Sequence, residues 1–237
     1  MTDILTPEGK VDPKWFDKDY YETPGAKCVL YSGMDGAVYT LTAGLIDIAL
    51  QAFSCPKRII DIGCGKGEMV KALRDKRIDA FGFEYSQYAV EHTVVPGYVV
   101  QIDLTEEDPA TPPIPALCSW EVFEHIPEGR IPRLFKTMFG MLDSQGFFIG
   151  SICLDKDQEK VEEYLATQPP ERRDHSHVTI KSREWWNEKF EAAGFISVEP
   201  VRETLQNTLV PLNNSLDLMS FSLFGKFEYS LFVMRKE

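Results

Sequence analysis

The sequence is poor in the residues that cross-link a chain or anchor it in a membrane. Its five cysteines, Cys28, Cys55, Cys64, Cys118 and Cys153, are odd in number and show no paired spacing. That pattern is typical of free thiols in a reducing compartment. No apolar stretch reaches the roughly 18 residues that a membrane-spanning helix requires, and the first residues lack the basic start and apolar run of a secretory signal. These absences predict a cytoplasmic protein without a membrane partner.

Positive charge is scarce as well. The 237 residues include 25 Lys and Arg against 37 Asp and Glu, which gives a net charge of −12. Proteins that bind nucleic acid neutralise its phosphates with clustered lysine and arginine, so the charge argues against a nucleic-acid partner. Hydrophobic residues make up 43% of the chain and charged residues 26%, as in a folded globular protein. The length fits one α/β domain with at most a small appendage.

Apolar patterning predicts alternating helices and strands from residue 36 onward. The predicted helices cover 36–53, 68–76, 86–93 (with Ser86 as its cap), 131–142 and 182–193 (with Gly194 as its stop). The predicted strands cover 58–63, 80–85, 98–104, 116–122, 146–153, 195–200 and 228–234. This alternation predicts an α/β fold with a seven-stranded, mostly parallel sheet and helices on both faces. Because no clear helix separates the last two strands, we expect the last strand to run antiparallel.

The strongest motif is a glycine loop between the first of these strands and the following helix. It reads Ile59-Ile60-Asp61-Ile62-Gly63-Cys64-Gly65-Lys66-Gly67. Glycines at such a turn let the backbone approach a ligand closely. The Gly-x-Gly-x-Gly spacing differs from the Gly-x-Gly-x-x-Gly of dinucleotide sites, and Asp61 precedes Gly63 by two residues. Glu84 and Asp103 end the next two strands, where ligands of such sheets bind.

Two segments carry a family resemblance, which covers roughly residues 55 to 200. The run Asp61–Gly67 resembles the first motif of class I S-adenosylmethionine-dependent methyltransferases. The segment Ser119–Pro127 resembles the E-V-x-E-H segment of many small-molecule methyltransferases in that class. The resemblance implies a Rossmann-like fold, S-adenosylmethionine as cofactor and S-adenosylhomocysteine as product.

The resemblance also implies a set of cofactor-binding residues. The glycine loop surrounds the amino-acid end of the cofactor, Glu84 accepts from the ribose hydroxyls, and Asp103 accepts from the adenine amino group. Glu121 lies at the end of the fourth strand and faces the methyl donor. For Tyr85, a place beside the ribose or adenine and simple packing both stay open. The full predicted set is Asp61, Gly63, Cys64, Gly65, Gly67, Glu84, Tyr85, Asp103, Leu104 and Glu121.

The chain has four histidines, and three of them are expected near one pocket. His92 is predicted to be structural, His125 belongs to the E-V-x-E-H segment, and His175 and His177 precede the last predicted helix. In the resembled family, the segment after the fifth strand folds over the mouth of the active site.

Three roles for this histidine cluster stay open. In the first, His125 or His177 is a base that deprotonates a hydroxyl acceptor, with Glu121 as a further catalytic residue. In the second, Glu121, Glu124, His125 and His177 bind a divalent metal, a set that looks like the metal site of small-RNA terminal 2′-O-methyltransferases and of ubiquinone-pathway O-methyltransferases. In the third, Glu124 and His125 only orient their loop.

These patterns predict methylation of a small-molecule acceptor at oxygen by a monomer or homodimer. Two alternatives are metal-assisted methylation of an RNA 2′-hydroxyl or a quinone-type hydroxyl, and a noncatalytic S-adenosylmethionine-binding regulator. Residues 1–35, rich in aromatics, are predicted to be a lid or cap, with covering of the sheet edge as the alternative. Residues 36–237 are predicted to form the methyltransferase domain, in which 201–227 is predicted to be an insert that serves the acceptor pocket or a dimer contact.

Overall fold

The computed structural model of the protein describes residues 4–23, 36–155, 162, 163, 166, 175–215 and 231–237. Seven α-helices lie in these ranges. They are α1 (Lys18–Glu22), α2 (Gly36–Ala52), α3 (Glu68–Asp75), α4 (Gln87–Glu91), α5 (Ile131–Met141), α6 (Arg183–Ala192) and α7 (Glu199–Ser215). Short 3₁₀ turns occur at Pro13–Trp15, Phe123–His125 and Glu128–Arg130.

One mixed sheet of seven strands forms the centre of the fold. Its strands are β1 (Arg58–Ile62), β2 (Asp79–Glu84), β3 (Val99–Gln101), β4 (Ile114–Trp120), β5 (Leu142–Ser151), β6 (Phe195–Ser197) and β7 (Leu231–Lys236). They lie side by side in the order β3-β2-β1-β4-β5-β7-β6. The first five pair in parallel, and β7 runs antiparallel to both β5 and β6. The predicted α/β class, strand number and antiparallel last strand are confirmed.

The expectation that no helix separates the last two strands is wrong. Helix α7 lies between β6 and β7 and occupies the first part of the predicted insert 201–227. Leu205 is fully buried, and Val201, one turn before it, packs against the same core cluster. That apolar contact stabilises the helix in spite of Pro211, which a helix interior tolerates poorly. Residues 216–227 of the predicted insert lie outside the described residues.

Two hydrophobic clusters hold helices against opposite faces of the sheet. Along β1, Ile59 belongs to the cluster under α2, α3 and α7, and Ile60 belongs to the cluster under α5 and α6. This division follows from the alternation of side chains along a strand. In the second cluster, Trp186 and Phe190 of α6 are completely buried, and burial of such a ring contributes about 2–3 kcal/mol. The predicted cap of α4 is confirmed, because the Ser86 side chain accepts a backbone N–H at its start. Ser182 caps α6 in the same way.

The parallel strands bring their carboxyl ends to a single edge of the sheet. The glycine loop follows β1, Glu84 ends β2, Asp103 follows β3 and Glu121 follows β4. This topology places the predicted site residues together. The cysteines in the described ranges, Cys55, Cys64, Cys118 and Cys153, form no disulfide, and none of the described helices is long and apolar enough to cross a membrane.

Candidate active site

The glycine loop has a backbone that only glycine adopts easily. Gly63, Gly65 and Gly67 have φ angles of 69°, 55° and 89°, in the left-handed region that penalises side chains. At Gly63 space is lacking too, because a Cβ there would lie 2.5 Å from Cγ2 of Val122. The loop therefore packs directly on the E-V-x-E-H segment at Gly63, where both conformation and contact require glycine.

Asp61 is a buried carboxyl at the end of β1. Its side chain is 2% exposed, and the Cys118 thiol donates to its Oδ1 atom across 3.4 Å. Burial raises the pKa of Asp61 to about 8; the hydrogen bond from Cys118 opposes the shift, and the nearby Glu84 carboxyl reinforces it. Because the ionised form is so poorly solvated, a cationic ligand group beside it would be strongly favoured.

Glu84 ties the glycine loop to the end of β2. Its Oε2 atom accepts from the Gly65 N–H and its Oε1 atom from the Ser86 N–H, both at 2.7 Å. Burial raises the pKa of Glu84, although these backbone hydrogen bonds act in the opposite direction. Each carboxylate oxygen has a second lone pair, so Glu84 keeps the capacity to accept from two further hydroxyl groups.

Cys64 takes part in the loop through its backbone. A Cβ built on Gly82 of β2 would lie 2.3 Å from the Cys64 sulfur, so the thiol packs into the sheet. Its side chain belongs to the hydrophobic core. The side chain of Leu104, another predicted site residue, is also buried, at 5% exposure.

Asp103 has more partners than the sequence indicated. Its Oδ2 atom lies 2.7 Å from Lys10 Nζ, and its Oδ1 atom accepts from both the backbone N–H and the hydroxyl of Thr105. Lys10 also lies 2.6 Å from a Glu106 carboxylate oxygen. Burial alone would raise the pKa of Asp103, but the hydrogen bonds from Lys10 and Thr105 outweigh it and lower that pKa.

The N-terminal segment, defined here as residues 4–23, contacts every loop of the site. Tyr85, predicted as a site residue, donates through its hydroxyl to the Val11 carbonyl oxygen at 3.2 Å, and the Ser86 hydroxyl donates to the Phe16 carbonyl oxygen at 2.6 Å. Lys66 of the glycine loop pairs with Glu22 of the segment at 3.4 Å. Together with the pair between Lys10 and Asp103, these contacts fix the segment across the edge of the sheet.

Glu121 begins the E-V-x-E-H segment with an unusual backbone. Its φ angle is 54°, a left-handed conformation that costs a residue with a side chain about 1–2 kcal/mol. The Glu121 N–H donates to the Ser151 carbonyl oxygen of β5 at 3.0 Å, which fixes the bend. Three residues later, Glu124 is completely buried and its Oε1 atom accepts from the Cys153 N–H.

The segment 175–179 is hydrogen-bonded to the E-V-x-E-H segment. The N–H groups of Val178 and Thr179 both donate to the Glu124 carbonyl oxygen at 2.9 Å. The His125 Nδ1 atom lies 2.8 Å from the hydroxyl of Ser176, a fully buried residue. This pairing holds His125 and the two histidines beside Ser176 in one cluster.

Aromatic rings surround this histidine cluster. The His125 ring lies 4.7 Å from the His177 ring, 5.7 Å from Phe16 and 6.4 Å from Tyr20, measured between centroids. Trp15 lies 6.3 Å from His175. The structure thus brings His125 and His177 together beside rings of the N-terminal segment, and His175, two residues before His177, lies against Trp15.

The predicted metal ligands also come together. One ligand atom each from Glu124, His125 and His177 lies within 4.8 Å of the others, and the same holds for Glu121, Glu124 and Cys153. Glu124 is shared by both groups. The structure therefore divides the four predicted residues between two groups that share Glu124, and it adds Cys153, which follows the end of β5.

His92 lies apart from these groups, at the end of α4. Its ring stacks on Tyr88 at 4.0 Å and its Nδ1 atom lies 2.8 Å from the Tyr88 carbonyl oxygen, in agreement with its predicted structural role. The sequence prediction missed Lys10, Cys153 and Ser176. Only Cys153 had a usable signal, since it follows a strand end at the edge where ligands bind.

Comparison with known proteins places the fold in one family. Residues 37–199 match the family model described as a methyltransferase domain. No curated protein sequence is significantly similar to this chain.

Solved structures share the fold at low sequence identity. An S-adenosylmethionine-dependent methyltransferase from Archaeoglobus fulgidus is 14% identical, with a TM-score of 0.54, and the alignment covers 84% of this chain and 94% of that one. A TehB-like S-adenosylmethionine-dependent methyltransferase from Corynebacterium glutamicum is 16% identical, with a TM-score of 0.56, and the alignment covers 87% of this chain and 90% of that one. Magnesium protoporphyrin IX methyltransferase from Synechocystis, with bound S-adenosylhomocysteine, is 13% identical, with a TM-score of 0.54. The alignment covers 85% of this chain and 84% of that one. The chain belongs to the methyltransferase domain family and has the fold of S-adenosylmethionine-dependent methyltransferases.

Proposed function

We propose that the protein transfers the methyl group of S-adenosylmethionine to a small-molecule acceptor, with a hydroxyl oxygen as the methylated atom. The observation that carries this proposal is the convergence of the glycine loop, three acidic residues and the histidine cluster at one edge of the sheet. The three acidic residues are Asp61, Glu84 and Asp103. Each has a separate recognition task, and together they match the parts of one cationic nucleoside.

The residues present suit that cofactor. The left-handed glycine loop brings backbone close to its amino-acid end, and the buried Asp61 carboxyl is stabilised in its charged form by a cationic ligand. Glu84 has acceptor capacity for the two ribose hydroxyls, and Asp103 has one for the adenine amino group. When bound, the cofactor supplies an electrophilic methyl group on a sulfonium.

The histidine cluster supplies the base. A hydroxyl acceptor becomes a strong nucleophile only when its proton is removed, and an imidazole does this near neutral pH. His125 and His177 are candidates, since their rings meet at 4.7 Å and Ser176 fixes the orientation of His125. Glu121, which directly follows β4 at the start of the E-V-x-E-H segment, serves to place the acceptor.

The N-terminal segment favours a small acceptor. Phe16 and Tyr20 of this segment lie edge-on to the His125 ring. A macromolecular acceptor would require this docked segment to move away, whereas aromatic side chains favour contact with a small planar molecule. The net charge of −12 also opposes an RNA acceptor. In this proposal the segment is a lid that excludes water during the transfer.

A second candidate is metal-assisted methylation, in which Glu121, Glu124, His125 and His177 hold a divalent ion. The two overlapping groups of ligand atoms within 4.8 Å favour it. Imidazole and carboxylate ligands suit Mn²⁺ or Zn²⁺, and Cys153 shifts the set toward Zn²⁺. Such an ion lowers the pKa of a hydroxyl acceptor, whether a quinone-type hydroxyl or an RNA 2′-hydroxyl. A noncatalytic S-adenosylmethionine-binding regulator is the remaining alternative.

One set of assays separates these candidates. His125→Ala and His177→Ala are compared with the wild type for methyl transfer, with and without a chelator followed by dialysis. Under the base proposal, chelation leaves the rate unchanged and the base variant loses at least about 100-fold. Loss of activity on chelation, restored by Zn²⁺ or Mn²⁺, supports the metal candidate instead. Binding of the cofactor without transfer to any acceptor supports the regulator.

A further inference from the structure

We propose that Lys10 is a specificity-determining residue, which acts through Asp103 to make the site select adenine at the nucleoside end of the cofactor. The inference rests on the proposed function, because it concerns how S-adenosylmethionine is recognised. Lys10 is a positioning residue here, because it contacts and orients the Asp103 carboxylate rather than the cofactor itself.

The contacts around Asp103 leave one acceptor direction for a ligand. The Oδ1 atom receives two hydrogen bonds from Thr105, at 2.9 Å and 2.6 Å. The Oδ2 atom receives one from Lys10 at 2.7 Å, and a carboxylate oxygen can accept two. Lys10 therefore orients Asp103 and leaves a single lone pair with a fixed direction. A fixed acceptor distinguishes an amino donor from a carbonyl group at the same position.

Lys10 also balances two neighbouring acidic side chains. Its ammonium lies between Asp103 and Glu106, at 2.7 Å and 2.6 Å. The side chains of Lys10 and Asp103 are 17% and 14% exposed, so water screens their pair less than it screens a surface pair. Without the ammonium, the two carboxylates repel each other and Asp103 is free to turn away from its position.

The position of Lys10 links adenine selection to closure of the N-terminal segment. Lys10 and Asp103 are 93 residues apart in the sequence, so only docking of the segment brings them together. The next residue, Val11, accepts from the hydroxyl of Tyr85 beside Glu84. Closing the segment therefore completes the adenine site and fixes the neighbouring loop in the same step.

The test measures binding of two ligands by calorimetry with the full chain. One is S-adenosylhomocysteine and the other is S-inosylhomocysteine, in which a carbonyl replaces the adenine amino group. The proteins are wild type, Lys10→Met, Lys10→Arg, Asp103→Asn and the variant that combines Lys10→Met with Asp103→Asn. Lys14→Met is the matched control, because it removes one positive charge from an exposed position of the same segment.

We expect the wild type and Lys14→Met to prefer the adenine ligand by roughly tenfold or more, the order of magnitude of one hydrogen bond to a charged acceptor. Lys10→Met should lose most of that preference and Lys10→Arg should keep it. In the Asp103→Asn background, Lys10→Met should have no further effect on the preference.

Three results contradict the inference. A Lys10→Met preference equal to that of the wild type shows that Lys10 has no part in selection. Equal weakening of both ligands shows a general effect of the segment rather than adenine selection. Failure of the wild type to bind S-adenosylhomocysteine refutes the proposed function itself, and this inference with it, whereas wild-type binding with either of the first two results refutes the inference alone.

Discussion

Replacing Asp61 by asparagine removes a buried ionisable group while keeping its shape. Asparagine retains an Oδ1 atom that can accept from the Cys118 thiol, but it cannot be charged. The wild-type carboxyl has a pKa of about 8 in the folded protein and an ordinary value of 3.8 when exposed. Because the folded pKa is the higher one, the folded state keeps a proton that the unfolded chain releases as the pH rises above 3.8.

The sign and size of the effect follow from this difference. Protonated Asp61 contributes full stability below the unfolded pKa, and that contribution is lost as pH rises toward the folded pKa. Each pH unit in this window corresponds to about 1.36 kcal/mol. Between about pH 5 and pH 8, Asp61→Asn should therefore gain roughly 4 kcal/mol relative to the wild type in the free energy of unfolding. The same variant should bind S-adenosylhomocysteine more weakly.

Urea unfolding of the ligand-free protein at a series of pH values measures this difference. Asp75→Asn, which changes an exposed carboxylate on α3, is the matched control for the substitution. A difference between Asp61→Asn and the wild type that stays constant from about pH 5 to pH 8 would show that the Asp61 carboxyl is ionised in the folded state, and the reasoning would be wrong.

Two further predictions concern Ser176 in the segment 175–179 and Gly63 in the glycine loop. Ser176→Ala removes the hydroxyl beside His125 Nδ1 and should lower the rate of methyl transfer by at least about tenfold while the affinity for S-adenosylhomocysteine stays the same; an unchanged rate contradicts the orienting role. Gly63→Ala places a Cβ 2.5 Å from Val122 at a positive φ and should destabilise the protein by about 2 kcal/mol or more. Gly129→Ala, with open space around it, is the control, and equal unfolding free energies of the two variants contradict the packing argument.

Local sequence signals were sufficient for the central sheet and the acidic residues. A short apolar strand followed by glycines predicts the loop after β1, and carboxylates at successive strand ends converge because parallel strands share one edge. Glu84 and Asp103 were found in this way. The signal lies within a few residues of each feature, so it is readable without knowledge of the tertiary contacts.

The features that could not be predicted depend on contacts between residues far apart in the sequence, or on a backbone conformation that the residue type does not indicate. Lys10 meets Asp103 only after the N-terminal segment docks, and no local pattern shows where it docks. Helix α7 contains Pro211, a residue type that predicts the end of a helix. The helix is stabilised by packing against the core, which the sequence does not show. The left-handed Glu121 carries no glycine to signal its φ of 54°; the neighbouring strand β5 imposes that bend.

The identity of the acceptor is the central claim that most needs a direct measurement. Wild-type protein is incubated with S-adenosylmethionine labelled on its methyl group, together with separated small-metabolite and RNA fractions. The proposed function predicts label in the small-metabolite fraction, as a methyl ether, and its loss in Asp61→Asn. Label in RNA, or no transfer to any fraction by a protein that binds S-adenosylhomocysteine, would contradict it.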